Sequence, residues 1–210
     1  NFGFKVSDET SNSGEATVTV NVSAVDDNIV ATPATVTLNE DTDVTITLAA
    51  TDADGRALSY QITTLPSNGT LYQTSDGSTR GDAISSVPTT ISDGIHRVIY
   101  VSAENGNGDG HGNFGFKASW SNDSSAEATV TVNVTAVDDV PTASSQTITV
   151  VENLNVTITL SGSDVDGDNL TYKITTTPSN GILYQTSDGS TKGDAISSAG
   201  TVVSDENYRV

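Results

Sequence analysis

The chain contains two copies of one sequence pattern, separated by a constant offset of 112 residues from Asn1 to Asn113. Residues 1–5 (NFGFK) return at 113–117, and residues 71–79 (LYQTSDGST) return at 183–191. No gap is needed, and about 60 of the 98 aligned positions are identical. Close repeats of domain size indicate a tandem array, so we expect the chain to fold as a series of similar modules.

The repeat divides the chain unevenly. Residues 1–24 correspond to the end of a module, residues 25–137 to a whole module, and residues 138–210 to the beginning of another. The counterpart of residues 99–112 would follow Val210. Two interpretations remain open: a stretch of a longer continuous array, or a subunit whose partial modules are completed by strands of a neighbouring copy.

Composition narrows the range of partners. The chain has 8 basic and 27 acidic residues and a formal net charge of -19, which would repel nucleic acid and anionic membranes. Cations are therefore the binding partners that this negative charge favours. There is no cysteine, so no disulfide or thiolate metal site can form. No apolar run approaches the roughly 20 residues of a membrane-spanning helix, so we expect no membrane insertion.

Apolar and polar residues alternate with a period of two, which is typical of half-buried β-strands. Val18, Val20 and Val22, for example, alternate with Thr17, Thr19 and Asn21. The same pattern predicts strands at residues 16–24, 35–38, 44–48, 58–64, 70–74, 97–101 and 114–119. Seven short strands per module predict an all-β fold of tandem immunoglobulin-like β-sandwiches, one complete and two partial.

Successive antiparallel strands place their connecting loops at alternate ends of a sandwich. The loop at residues 51–55 should therefore share one end with the loop at 120–127. The loop at residues 39–42 should share the other end with the Gly-rich loop at 103–112. Acidic residues concentrated in these loops would then be brought together by the fold.

A series of short motifs resembles the cadherin-like tandem repeats of large extracellular surface proteins and adhesins. The motifs are 40–42 (EDT), 44–48 (VTITL), 52–55 (DADG), 58–62 (LSYQI), 66–69 (PSNG), 4–8 (FKVSD) and 16–20 (ATVTV). Together they cover essentially the whole chain, although each motif is weak by itself. The resemblance implies seven-stranded cadherin-like sandwiches in an extracellular or cell-surface spacer whose modules are joined by calcium.

The resemblance also implies which residues would bind this calcium. Calcium takes six to eight oxygen ligands, which acidic loops at a junction between modules would supply. The ligands implied for one junction are Glu40, Asp138, Asp139, Asp164 and Asp166, and those for half of another are Asp26, Asp27, Asp52 and Asp54. The alternative is that the Asp-x-Asp-Gly runs are only turns, since Asp and Gly favour turns for local reasons.

Six Asn-x-Ser/Thr sequons raise the question of N-linked glycans as further partners. They are Asn21, Asn68, Asn122, Asn133, Asn155 and Asn169. All fall in predicted turns or on the outward phase of predicted strands, so a glycan would leave the core intact. The composition alone predicts four or five sequons by chance, so their number carries little weight.

These features predict a structural extracellular protein, a module of a rod-like surface filament or adhesin stalk. Assembly would be head to tail between neighbouring copies, through strand complementation and calcium-bridged junctions. The alternative is a carbohydrate- or protein-binding adhesin module that uses Trp120, the only tryptophan, as an aromatic contact. An enzyme is not expected, because no nucleophile motif, paired histidine or zinc motif is present.

Overall fold

Alternation of apolar residues, alanine and valine, with polar ones, threonine and asparagine, gives the longest strand, Ala128–Thr135, one buried and one outward face. Ala128, Val130, Val132 and Val134 are buried, while the residues between them are exposed or half-buried. The computed structural model describes all residues from 1 to 210, and every regular element in it is a β-strand. The all-β fold predicted from the sequence is confirmed.

The chain forms two compact units, Asn1–Thr135 and Ala136–Val210. The first unit contains thirteen strands. They are β1 (Phe2–Phe4), β2 (Ala16–Val18), β3 (Val30–Thr32), β4 (Ala34–Asn39), β5 (Asp43–Thr47), β6 (Ala49–Thr51), β7 (Ser59–Thr64), β8 (Thr70–Gln73), β9 (Thr89–Thr90), β10 (Arg97–Val101), β11 (Phe114–Trp120), β12 (Asp123–Ser124) and β13 (Ala128–Thr135).

Two sheets of the first unit form the predicted sandwich. One has the order β4-β13-β11-β7-β9, with β12 beside β11, and the other has the order β5-β10-β8. Strand β4 runs parallel to β13, whereas the other pairs in these sheets are antiparallel. A short pair, β3 and β6, lies outside both sheets.

The core lies between the two sheets and contains residues from each. Leu71 and Val98 of one sheet and Ile62 and Val132 of the other are fully buried in one apolar cluster. Tyr100 is also fully buried, and its hydroxyl donates a hydrogen bond to the carbonyl of Asn68 at 3.0 Å. Burial of these apolar side chains from both sheets is the main stabilising contribution to the sandwich.

Six of the seven predicted strands lie within one residue of observed strands, from β4 to β11. Strands β3, β6, β9 and β12 were not predicted, because two or three residues are too few to show alternation. The predicted strand at 16–24 is too long, since only Ala16–Val18 is paired. Its repeat counterpart β13 is longer because it also pairs with β4.

Residues 1–24 form what we call the N-terminal hairpin, in which β1 and β2 pair only with each other. Most of its side chains are exposed, including apolar ones. Phe4 is 47% exposed, whereas its repeat counterpart Phe116 in β11 is 0% exposed. The same sequence is therefore core in one copy and surface in the other.

The second unit contains shorter strands. They are β14 (Thr142–Ala143), β15 (Gly162–Ser163), β16 (Lys173–Ile174), β17 (Leu183–Tyr184), β18 (Ala195–Ile196) and β19 (Thr201–Val202). Its core consists of Ile174, Ile196 and Val203, with four partly buried neighbours. Residues 146–151, the counterpart of β4, are exposed and form no strand, because the unit contains no counterpart of β13 to pair with them.

Candidate functional site

The acidic run at residues 52–56 of the first unit forms a tight loop directly after β6. The Asp52 carboxylate accepts hydrogen bonds from the backbone N–H groups of Asp54 and Arg56, at 3.1 and 3.3 Å. Gly55 has a φ of +69° and donates its N–H to the carbonyl of Asp52 at 3.1 Å. Glycine adopts this left-handed conformation without steric cost, so the local sequence favours the turn.

Arg56 lies at the centre of the acidic residues of this loop. Its Nε and Nη2 donate to the two carboxylate oxygens of Asp52 at 2.6 and 3.0 Å, in a bidentate arrangement. Its Nη1 pairs with Asp26, and its Nη2 lies 3.4 Å from an oxygen of Asp54 and donates to the backbone carbonyl of Asp27 at 2.8 Å. One guanidinium therefore holds together two segments about thirty residues apart in sequence.

The ion pair between Arg56 and Asp52 is largely removed from solvent. The side chains of Arg56 and Asp52 are 10% and 2% exposed. The hydrogen bond from Arg56 lowers the pKa of the Asp52 carboxyl, and the same bond raises the pKa of the Arg56 guanidinium. Both groups are therefore charged at neutral pH, and each balances the charge and the hydrogen-bonding capacity of the other.

The loop at 120–127 meets the same guanidinium. The Arg56 Cζ lies 4.9 Å from the centroid of the Trp120 ring, and Nη2 lies 4.0 Å from an oxygen of Asp123. A guanidinium over an indole face makes a favourable cation–π contact. The prediction that this loop and the loop at 51–55 share one end of the sandwich is confirmed.

The second unit repeats the loop but not the arginine. Asp164 accepts hydrogen bonds from the N–H groups of Asp166 and Asp168, at 3.0 and 3.3 Å. The N–H of Asp139 donates to Asp166 at 2.7 Å. Asp168 stands at the position equivalent to Arg56.

The contact from Asp139 to Asp166 has an equivalent in the first unit, where the N–H of Asp27 donates to Asp54 at 2.9 Å. In each copy the fold thus brings the adjacent aspartates, Asp26 and Asp27 or Asp138 and Asp139, to the Asp-x-Asp loop of the same copy. No group of three or more His, Asp or Glu side chains in the structure is arranged to hold a metal ion. Calcium binding by these residues stays a prediction.

Glu40 lies at the opposite end of the first unit and is 3% exposed. Its carboxylate accepts a hydrogen bond from the Asn107 side chain at 3.2 Å, and Asp41 accepts one from the backbone N–H of Asn105 at 2.9 Å. The predicted meeting of the loops at 39–42 and 103–112 is therefore confirmed.

The six sequons differ in accessibility. Five are exposed: Asn21, Asn68, Asn122, Asn155 and Asn169. The side-chain nitrogen of Asn68, where a glycan would be attached, donates a hydrogen bond to the carbonyl of His111 at 3.1 Å. Asn133 is half-buried, and its side-chain oxygen accepts a hydrogen bond from Gly110 at 2.8 Å. A glycan on Asn68 would have to displace the contact with His111, and one on Asn133 would have to fit at a half-buried position.

An ion-pair motif that occurs in both copies was not predicted. Arg97 Nε pairs with Asp93 at 2.8 Å, and Arg97 Nη1 donates to the carbonyl of Asp76 at 2.8 Å. In the second unit Arg209 pairs with Asp205 at 2.7 Å, and the hydrogen bonds lower the pKa of Asp205 to about 2. The sequence does contain a signal for this motif: an aspartate and an arginine four residues apart occur in both copies, at equivalent positions of the 112-residue repeat.

Comparison with known protein families agrees with this architecture. The SibA-like, immunoglobulin-like domain family matches residues 16–135, more than half of the chain. The chain belongs to this family. The bacterial Ig domain family matches residues 138–208, so the second copy of the SibA-like chain is also immunoglobulin-like. The predicted resemblance to immunoglobulin-like and cadherin-like repeats of surface proteins is confirmed.

The SibA-like chain is thus a tandem of bacterial immunoglobulin-like domains, a type of module that is characteristic of surface proteins and adhesins. A comparison with curated proteins finds no match for it. The structure contains no helix with the length and apolar character needed to cross a membrane.

Proposed function

We propose that the chain is a non-catalytic, extracellular spacer: a segment of an adhesin stalk or surface filament in which immunoglobulin-like modules join end to end. The observation that carries this proposal is a difference in burial between the copies of the repeat. Apolar residues that the complete sandwich buries are exposed at the same repeat positions elsewhere in the chain. Such surfaces favour association with a segment that restores the missing contacts.

The first of these surfaces is the apolar face of the N-terminal hairpin. Phe2 and Phe4 are 59% and 47% exposed, and Val20 is 60% exposed. Their counterparts in β11 and β13 lie in the core of the sandwich. Removing a phenylalanine or valine side chain from water contributes about 1.5–3 kcal/mol, so this face would stabilise any sandwich that accepts it.

The second surface lies on residues 146–151 of the second unit. Ile148 and Val150 are 43% and 49% exposed. The counterpart of Val150 in β4 is Leu38, which is buried and lies beside Val134 of β13 in the parallel pairing. A counterpart of β13 would therefore cover this segment and give its backbone a hydrogen-bonding partner.

The N-terminal hairpin carries that counterpart. Residues 16–22 (ATVTVNV) are identical to residues 128–134 of β13. We therefore propose that the open edge of the second unit pairs with a segment of this sequence from an adjacent module, and the N-terminal hairpin of a neighbouring copy can supply it. Repetition of this contact would build a head-to-tail string of modules by strand complementation.

Sedimentation velocity of the full chain over a range of concentrations tests this assembly. We expect concentration-dependent association that is reduced at least tenfold by Phe4→Asp, since a charge on the docking face opposes its burial. Thr17→Asp is the matched control, because Thr17 lies on the opposite face of β2 and its counterpart Thr129 is exposed in β13. A monomer at every concentration, or equal effects of both substitutions, would rule out docking between copies.

Calcium is the proposed ion at the acidic end of the second unit. The donor set there consists of carboxylates, from Asp138, Asp139, Asp164, Asp166 and Asp168, and carboxylate oxygens suit a hard cation such as calcium. Hydrogen bonds from backbone N–H groups already orient two of these carboxylates, those of Asp164 and Asp166. Bound calcium would reduce the repulsion between the carboxylates and stiffen this end of the module.

Calorimetric titration with calcium tests the ion directly. Asp164→Asn should weaken binding at least tenfold, because the substitution removes a charged ligand. Asp194→Asn, at an exposed acidic residue outside the loop, should leave binding unchanged. Absence of a binding signal in the unsubstituted chain would exclude the calcium site without affecting the assembly proposal.

N-linked glycans are proposed on the exposed sequons Asn21, Asn122, Asn155 and Asn169, where no hydrogen bond of the fold needs to be broken. The intact mass of the native protein tests this directly. A mass equal to that of the polypeptide, 21.6 kDa for this chain, would exclude glycosylation.

A further inference from the structure

The two copies differ in charge at one position of an otherwise shared acidic loop. Residues 52–56 read Asp-Ala-Asp-Gly-Arg, and residues 164–168 read Asp-Val-Asp-Gly-Asp. The surroundings of position 56 also differ. Trp120 replaces the Asp8 of the N-terminal hairpin, and Asp123 replaces Ser11. The module with the arginine is thus also the module with an aromatic ring and an additional acid beside it.

These differences converge on one cluster. The Arg56 guanidinium contacts the carboxylates of Asp26, Asp52 and Asp54, and lies within 4.0 Å of that of Asp123. Four negative charges therefore surround one positive charge whose side chain is only 10% exposed. Without a central cation, these carboxylates would repel one another across the two loops and the chain segment that carries Asp26.

We propose that Arg56 is a built-in cation that takes the place of a divalent metal ion, so that this end of the complete sandwich in the first unit holds together without calcium. The planar guanidinium suits the role because its fork of donors binds Asp52 through both oxygens and still reaches two other acidic residues. Trp120 covers one face of the guanidinium and keeps it in place.

The residue at this position would decide how each module of the array responds to calcium. Modules with arginine at this position would keep their loop end ordered at any calcium concentration, whereas modules with aspartate there would depend on a bound cation. Alternation of the two types would confine calcium sensitivity to particular modules. The role of Arg56 does not depend on calcium binding by residues 138–168 and can be tested separately.

Trp120 makes the experiment specific, because it is the only tryptophan and lies beside Arg56. Thermal unfolding of the full chain is followed by tryptophan fluorescence, once in EDTA and once in millimolar calcium. For the unsubstituted chain we expect the same Tm in both conditions. A calcium-dependent rise in the Tm reported by Trp120 would overturn the proposal, whatever the variants show.

Two substitutions and a control complete the test. Arg56→Ala should lower the Tm in EDTA by about 5 °C or more, because the buried carboxylate of Asp52 loses its partner. Arg56→Asp recreates the loop of the other copy, and its Tm should be low in EDTA and rise with calcium concentration, since a ligand that binds the folded state stabilises it. Arg80→Ala removes an exposed ion pair with Asp43 and should change the Tm little in either condition.

The variants can also overturn the proposal. An unchanged Tm for Arg56→Ala in EDTA would show that the guanidinium does not hold the loops together. Terbium luminescence sensitised by Trp120 reports a bound ion directly, and we expect it for Arg56→Asp and not for the unsubstituted chain. Equal terbium signals from the two chains would show that Arg56 does not occupy the position of a metal ion.

Discussion

The sharpest test of the fold compares the same residue in two copies of the repeat. Phe116 and Phe4 occupy equivalent positions, and their side chains are 0% and 47% exposed. Phe116 lies in β11, opposite Ile62 of β7, and its ring stacks near that of Tyr60 with centroids 6.3 Å apart. Truncation of a buried phenylalanine to alanine costs about 3–5 kcal/mol, because transfer free energy is lost and a cavity remains.

Phe116→Ala should therefore lower the free energy of unfolding of the first unit by about 4 kcal/mol. Phe4→Ala should change it by no more than about 0.5 kcal/mol, as expected for a surface substitution. Equilibrium unfolding in urea, followed by Trp120 fluorescence, reports the first unit alone, since the second unit has no tryptophan. The measurement is made at low protein concentration, so that association between copies does not contribute to the free energy of unfolding.

Two results would refute the reasoning. A loss for Phe4→Ala equal to that for Phe116→Ala would mean that the N-terminal hairpin packs its apolar face within an isolated chain. A loss below about 1 kcal/mol for Phe116→Ala would mean that β11 does not contribute to a tightly packed core.

Three further predictions concern individual contacts. Tyr100→Phe removes a hydroxyl that donates at 3.0 Å to a turn carbonyl and should cost about 1 kcal/mol in urea unfolding, whereas no change would mean that the carbonyl finds another donor. The pKa of Asp205 is lowered from 3.8 to about 2, first by the hydrogen bond from Arg209. The stability from this pair should therefore be present above pH 3.8 and be lost as the pH falls through about 2, and Asp205→Asn should abolish this pH dependence in an acid titration followed by circular dichroism. Gly69→Ala should lower the Tm more than Gly55→Ala: both have positive φ, but only at Gly69 would an added Cβ collide with a backbone carbonyl.

The sequence by itself determined the repeat, the all-β class and the positions of the main strands. Alternation with a period of two selects which face is buried, so that residues 97–101 were predicted with the bounds that β10 has. The order of these strands also indicated which loops share an end of the sandwich. The contacts of Asp41 with Asn105 and of Arg56 with Asp123 follow from that order.

The tertiary structure alone decided which alternating segments form strands and which side chains contact the acidic loops. Residues 146–151 have the alternation of β4 but form no strand, because a strand also needs a hydrogen-bonding neighbour that no local pattern supplies. Arg56 is adjacent in sequence only to the loop that contains Asp52. Its contacts with Asp26, Trp120 and Asp123 exist because sheet packing brings three distant segments to one end of the module, and electrostatic attraction then places the guanidinium between them.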